Sequence, residues 1–187
     1  MVKIIKSTDE LNSLAPNCQL GTLNIIGGRP GVGKTTLAFQ LAVETRKQTA
    51  YFCLKMTGEE LLSRYSPVGH PDWIHIEDAP VLTPSDLQQK VLQLKGTYNI
   101  QLVIVDYLQL MNSSQPHPNP ADRQTSILNE LKEMALKQQV AVIVLSQVAQ
   151  KNELQDDKSP IMSAISDFGF PLPSCVDDAC LLSCDDY

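Results

Sequence analysis

The chain has 187 residues, a formal net charge of -6 and a pI of about 5.0. That length suffices for one domain with a core of its own, unsupported by disulfide or metal, and residues 1–187 are expected to form a single unit. The acidic balance gives nucleic acid no global attraction and leaves such a partner only a local basic patch or an oligomeric channel.

No apolar run approaches the ~18 residues that a membrane span requires. The opening Met1-Val2-Lys3-Ile4-Ile5-Lys6-Ser7-Thr8-Asp9-Glu10 is too short in apolar stretch and too charged for a signal peptide, so a cytoplasmic setting is expected.

The first strong element is the apolar run Leu23 to Ile26, read as a strand. Gly28-Arg29-Pro30-Gly31-Val32-Gly33-Lys34-Thr35 follows it directly and matches G-x-x-x-x-G-K-[ST]. Glycines let backbone N–H groups turn inward around phosphate oxygens, and the next helix presents its positive end. Lys34 can then reach β and γ phosphates, and Thr35 offers a hydroxyl to Mg²⁺. An ordinary glycine-rich turn is the alternative. The lysine, the hydroxyl, the upstream strand and the amphipathic helix Thr36 to Arg46, marked by Leu37, Leu41 and Val43, together favour nucleoside triphosphate binding.

Ala50 to Leu54 and Trp73 to Ile76 read as further strands. Thr83-Pro84-Ser85-Asp86 is a helix start, with a hydroxyl cap, proline in the first turn and an acid at its third position, opening Leu87 to Lys95. Leu102 to Val105 is an apolar strand ending in Asp106, the place expected for a Walker B acid that organises Mg²⁺; in isolation such an Asp equally suits a turn or a cap. Asn112 to Pro120 carries three prolines and is read as a loop unable to form helix or inner strand.

Ser126 to Gln138 has Ile127, Leu128, Leu131, Met134 and Ala135 at helical spacing. Ala141 to Leu145 is another apolar strand, closed by Ser146 and Gln147. An amide there suits a γ phosphate or an attacking water, or merely caps the strand end. Lys151 to Pro160 reads as a second loop, and Ala179 to Ser183 as a last strand. Cys175, Cys180 and Cys184 lie close together without a C-x-x-C pair, so a core role is expected over a metal site. Strands alternating with helices imply an α/β fold with a mainly parallel sheet and helices on both faces.

Gly28 to Thr36, Asp106-Tyr107-Leu108-Gln109-Leu110-Met111 and Leu145-Ser146-Gln147 together resemble the RecA-like ATPase domain of DnaB-type replicative helicases. The Asp-Tyr-Leu-Gln-Leu-Met run is the discriminating piece. Thr8-Asp9-Glu10-Leu11, Gln19-Leu20-Gly21, Leu82-Thr83-Pro84 and Asp122-Arg123 extend the likeness over most of the chain. The resemblance implies a RecA-like P-loop NTPase core that binds ATP and Mg. Gly28, Arg29, Pro30, Gly31, Val32, Gly33, Lys34, Thr35 and Thr36 would hold the nucleotide, Thr35 and Asp106 the metal, and Gln147 would sense the γ phosphate.

Three departures shape the expected function. The family ends the strand after its first helix in Leu-Glu-Met, with the glutamate activating water; here the run is Leu54-Lys55-Met56. A lysine is protonated at neutral pH and cannot take the proton of that water. Either Lys55 pairs with phosphate and hydrolysis is weak or absent, or Glu59, Glu60 or Glu77 has replaced the base. Family members also continue through strands that supply a lysine and an arginine finger, and Asp167-Phe168-Gly169-Phe170 stands where Asp-Leu-Arg-Glu is usual. Arg46, Arg64 and Arg123 are the arginines left as candidate fingers, with Arg123 expected to be a surface charge at a helix entry rather than a finger.

Three functions therefore stand: an ATP-binding switch or assembly element, an active DNA-dependent ATPase working as an oligomer, and, less in keeping with the motifs, a small-molecule kinase. Single-stranded DNA, a helicase-family protein or further copies of this chain are the candidate partners.

Overall fold

The computed structural model describes residues 2–5, 18–66, 69–78, 82–117, 119–148 and 172–182. The segments Thr8 to Leu11, Lys151 to Pro160 and Asp167 to Phe170, with Ser183 and Cys184, lie outside the described residues.

Among the described residues seven strands form one sheet: β1 (Val2–Ile5), β2 (Leu23–Gly28), β3 (Thr49–Cys53), β4 (Ile74–Asp78), β5 (Leu102–Asp106), β6 (Ala141–Gln147) and β7 (Asp178–Leu182). Their spatial order is β1-β7-β2-β6-β5-β3-β4, and every pairing is parallel. Between them lie α1 (Lys34–Thr45), α2 (Gly58–Tyr65), α3 (Pro84–Tyr98) and α4 (Pro120–Gln138), with a 3₁₀ turn at Leu108–Leu110. β2, β3 and β5 are buried along their whole lengths, as strands covered on both faces must be.

Side-chain alternation divides the core in two. Ala50, Phe52, Val103, Val105, Val142 and Val144 pack with Leu87 and Val91 of α3 and with Ile127, Leu128 and Leu131 of α4. The intervening residues Tyr51, Cys53, Leu102, Ile104, Ile143 and Leu145 face the opposite way, against Leu37, Phe39 and Leu41 of α1 and Leu61 of α2. Helices thus cover both faces, as expected.

Parallel register gathers the carboxyl ends of the central strands on one edge. Gly28 of β2 lies beside Gln147 of β6, and Cys53 of β3 beside Asp106 of β5. The described residues that follow β2, β3 and β5 line a common cleft together with Gln147 at the end of β6, the usual place for a ligand in an open parallel sheet.

Three elements differ from expectation. α4 starts at Pro120, six residues before Ser126, because Asn119 accepts a hydrogen bond from the Asp122 N–H and proline fits the first helical turn, where its missing N–H has no partner to lose. The prolines of 112–120 therefore precede and open a helix. α2 was not anticipated; its signal is Thr57-Gly58-Glu59-Glu60, where Thr57 and Glu60 form a reciprocal capping box. β1, four residues long, escaped notice because its support comes from pairing with β7 far along the chain.

Candidate functional site

The phosphate-type loop leaves β2 at Gly28 and enters α1 at Lys34. Gly31 and Gly33 adopt φ of 82° and 95°, left-handed values open to glycine at little cost. A Cβ at Gly28 would sit 2.7 Å from Val32 Cγ1 and 3.2 Å from the Leu182 carbonyl, so close packing also demands glycine there.

Lys34 folds back into its own loop, donating to the Gly28 carbonyl at 2.7 Å and the Arg29 carbonyl at 2.8 Å. Burial brings its pKa down to about 8, against the attraction of Asp106, and the charge of Lys55 adds to the lowering.

Across the cleft, Thr35 Oγ1 donates to Asp106 Oδ2 at 2.8 Å, and Tyr51 OH donates to the same oxygen at 3.2 Å. Asp106 is only 2% exposed. Burial raises its pKa, while the two hydroxyl donors and the nearby Lys55 and Lys34 pull the other way. A carboxylate beside a threonine hydroxyl is a hard oxygen pair, fitting Mg²⁺ that takes its remaining ligands from phosphate and water. No cluster of three His, Cys, Asp or Glu capable of holding a metal occurs among the described residues.

The cleft is lined by Pro30, Gly31, Gly33, Lys34, Thr35 and Thr36, by Lys55 and Met56 after β3, and by Arg64 and Tyr65 at the end of α2. Asp106, Tyr107 and Gln147 complete it. Lys34, Thr35, Asp106, Lys55 and Gln147, named separately from the sequence, thus meet at one place. Gly28, Arg29 and Val32 shape the loop without lining the cleft.

Among the described residues that line the cleft, Asp106 is the one carboxylate. Glu60 is held by the α2 capping box and lines a neighbouring pocket with Lys55 and Asp78. Glu77 pairs with Lys90 of α3, and Glu59 is exposed on α2.

The arginines divide clearly. Arg123 donates to the carbonyls of Gln109 and Met111 at 3.0 and 3.1 Å, a structural anchor in place of either a finger or a free surface charge. Arg46 lies 5.8 Å from the centre of the Trp73 ring. Arg64 reaches the cleft.

Sequence reasoning missed two supporting residues. Gln109 donates to Ser146 Oγ at 3.0 Å and to the Gln147 carbonyl at 2.9 Å, and accepts from the Gln147 N–H at 3.1 Å. Its place inside the Asp-Tyr-Leu-Gln-Leu-Met run was the available signal. Tyr51 had none beyond its strand phase. Cys180 is buried in β7, in agreement with a core role, and Cys175 is half-buried.

Comparison with known proteins gives a consistent answer. The family model described as DnaB-like helicase C terminal domain matches residues 4–68 and 70–170. The replicative DNA helicase DnaB of Geobacillus stearothermophilus is 29% identical over 211 residues, covering 95% of this chain and 46% of that protein. The replicative DNA helicase DnaC of Bacillus subtilis (strain 168) is 30% identical over the same length, again with 95% and 46% coverage. The chain spans less than half the length of these relatives.

Among solved structures, a DnaB-like replicative helicase, studied together with its interactions with primase, superposes with a TM-score of 0.67 at 23% identity, over 80% of this chain and 44% of that one. A second structure, of an ATPase domain, gives the same score and identity over 80% and 64%. The fold is RecA-like, and the chain belongs to the DnaB-like helicase C terminal domain family.

Proposed function

We propose that this chain binds Mg-ATP and acts as a nucleotide-dependent switch or assembly element with weak or no hydrolysis. The observation that carries the reading is Lys55 on the wall of a cleft where, among the described residues, Asp106 is the one lining carboxylate. Backbone N–H groups of Gly31 to Thr36 would receive phosphate oxygens. Lys34 would exchange the Gly28 and Arg29 carbonyls for phosphate, and Thr35 and Asp106 would hold the metal. A bound magnesium supplies neutralisation of phosphate charge. Lys55 adds a second cation without offering a proton acceptor.

The switch would run through Gln147. Its side chain lines the cleft, its backbone is pinned by Gln109, and the Gln109 carbonyl is held by Arg123 of α4. A change at Gln147 therefore bears on the segment 112–117, which joins the 3₁₀ turn to α4. Single-stranded DNA or a helicase-family subunit in the cytoplasm, a further copy of this chain included, would receive the signal.

Binding of a fluorescent ATP analogue with Mg²⁺, measured beside phosphate release, tests the reading. The unmodified chain should bind while releasing little phosphate, and Lys34→Ala should lose binding by at least tenfold. Rapid phosphate release abolished by Lys34→Ala would refute it and favour an active DNA-dependent ATPase working as an oligomer. The presence of Arg64 in the cleft, a cation supplied from the same chain, speaks for that second reading.

A further inference from the structure

Asp106 ends β5, and its oxygen Oδ2 accepts from two hydroxyls on different elements, Thr35 on α1 and Tyr51 on β3. The two donors are not equivalent. Thr35 opens onto the cleft, where a metal would draw its hydroxyl away from Asp106. Tyr51 is fully buried, with Ile104 as its register partner on β5 and Phe39 at 6.1 Å between ring centres. Strand phase turns Tyr51 and Asp106 to the same face of the sheet, toward α1. A phenol sealed in that apolar layer needs a partner for its O–H, and the carboxylate is the partner it has.

We infer that Tyr51 is a positioning residue for the metal: it holds Oδ2 of Asp106 so that the other carboxylate oxygen stays aimed at the magnesium or its water when Thr35 turns to the ion. This deepens the proposed nucleotide reading and rests on it. Outer-shell donors to metal-site carboxylates commonly contribute 10- to 100-fold in metal affinity, so the effect is measurable.

Tyr51→Phe keeps the ring against Phe39 and deletes the hydroxyl alone. Titration of Mg²⁺ into the chain saturated with a fluorescent ATP analogue should show metal affinity reduced by roughly tenfold or more, while affinity for the analogue in EDTA is unchanged. In an Asp106→Asn background, Tyr51→Phe should move the metal titration no further. Superimposable Mg²⁺ titrations of the unmodified and Tyr51→Phe chains would overturn the inference. Equal losses with and without metal would also overturn it, since a purely structural role would behave that way. Binding by the unmodified chain that is indifferent to Mg²⁺ would overturn it while leaving nucleotide binding standing. No binding of the analogue in either condition would overturn both.

Discussion

Lys34 shows at the scale of one residue how a site can oppose the stability of the molecule that carries it. Lys34 as a residue is 8% exposed and its ammonium donates to two carbonyls of its own loop, yet burial holds its pKa at about 8 against an ordinary 10.5. A base with a depressed folded pKa contributes its stability above the unfolded pKa and loses it as pH falls through the folded one. The nucleotide-free chain therefore gains stability between about pH 8 and 10.5 from this residue. Lys34→Met, which keeps most of the apolar stem, should stabilise that form by ~1 kcal/mol at pH 7, the desolvation cost less the two hydrogen bonds removed. Thermal unfolding across pH 7 to 10.5 measures this, and the lead of the variant should shrink and then reverse toward the upper end, because a shift from 10.5 to about 8 gives the unmodified chain roughly 3 kcal/mol over that range. A variant less stable at pH 7 would show that the hydrogen bonds outweigh burial.

At the scale of elements, what the sequence reveals depends on whether the determining contacts are local. The phosphate-type loop and the cap of α3 are written in consecutive residues, so both were legible: Thr83 and Asp86 make the reciprocal bonds their spacing implies. Asp106 and Gln147 were legible because each closes an apolar strand. Tyr51 meets Asp106 across 55 positions, and Gln109 meets Gln147 across 38, so their roles come from strand register and could not be read along the chain. Gln109 joins the end of β6 to the 3₁₀ turn with three hydrogen bonds from one amide, and Arg123 fixes the far side of that turn. Removing the amide should uncouple the two elements while leaving the phosphate-type loop untouched. In Gln109→Ala, ATP affinity should stay within about threefold, a small free-energy change. Hydrogen exchange in 112–117 should then cease to respond to nucleotide. An unaltered nucleotide response in that segment would exclude Gln109 as the link.

At the scale of the whole molecule, the seven-stranded sheet explains why a substitution at one position can alter function without altering fold. β2, β6, β5 and β3 deliver Lys34, Gln147, Asp106 and Lys55 to one edge through buried, consistently parallel strands. Lys55 follows β3 at an exposed position and supports none of the core, so its chemistry can change while the sheet stays as it is. On the proposed reading Lys55 stands where a carboxylate would be needed and leaves the cleft without a base. The most direct measurement is phosphate release from saturating Mg-ATP by the unmodified chain and by Lys55→Glu, with nucleotide affinity determined for both. On that reading the original binds ATP without turnover, and the substituted chain gains turnover by at least tenfold. Turnover already present in the original, lost in Lys34→Ala and unimproved by Lys55→Glu, would contradict it and show that another group takes the proton from water.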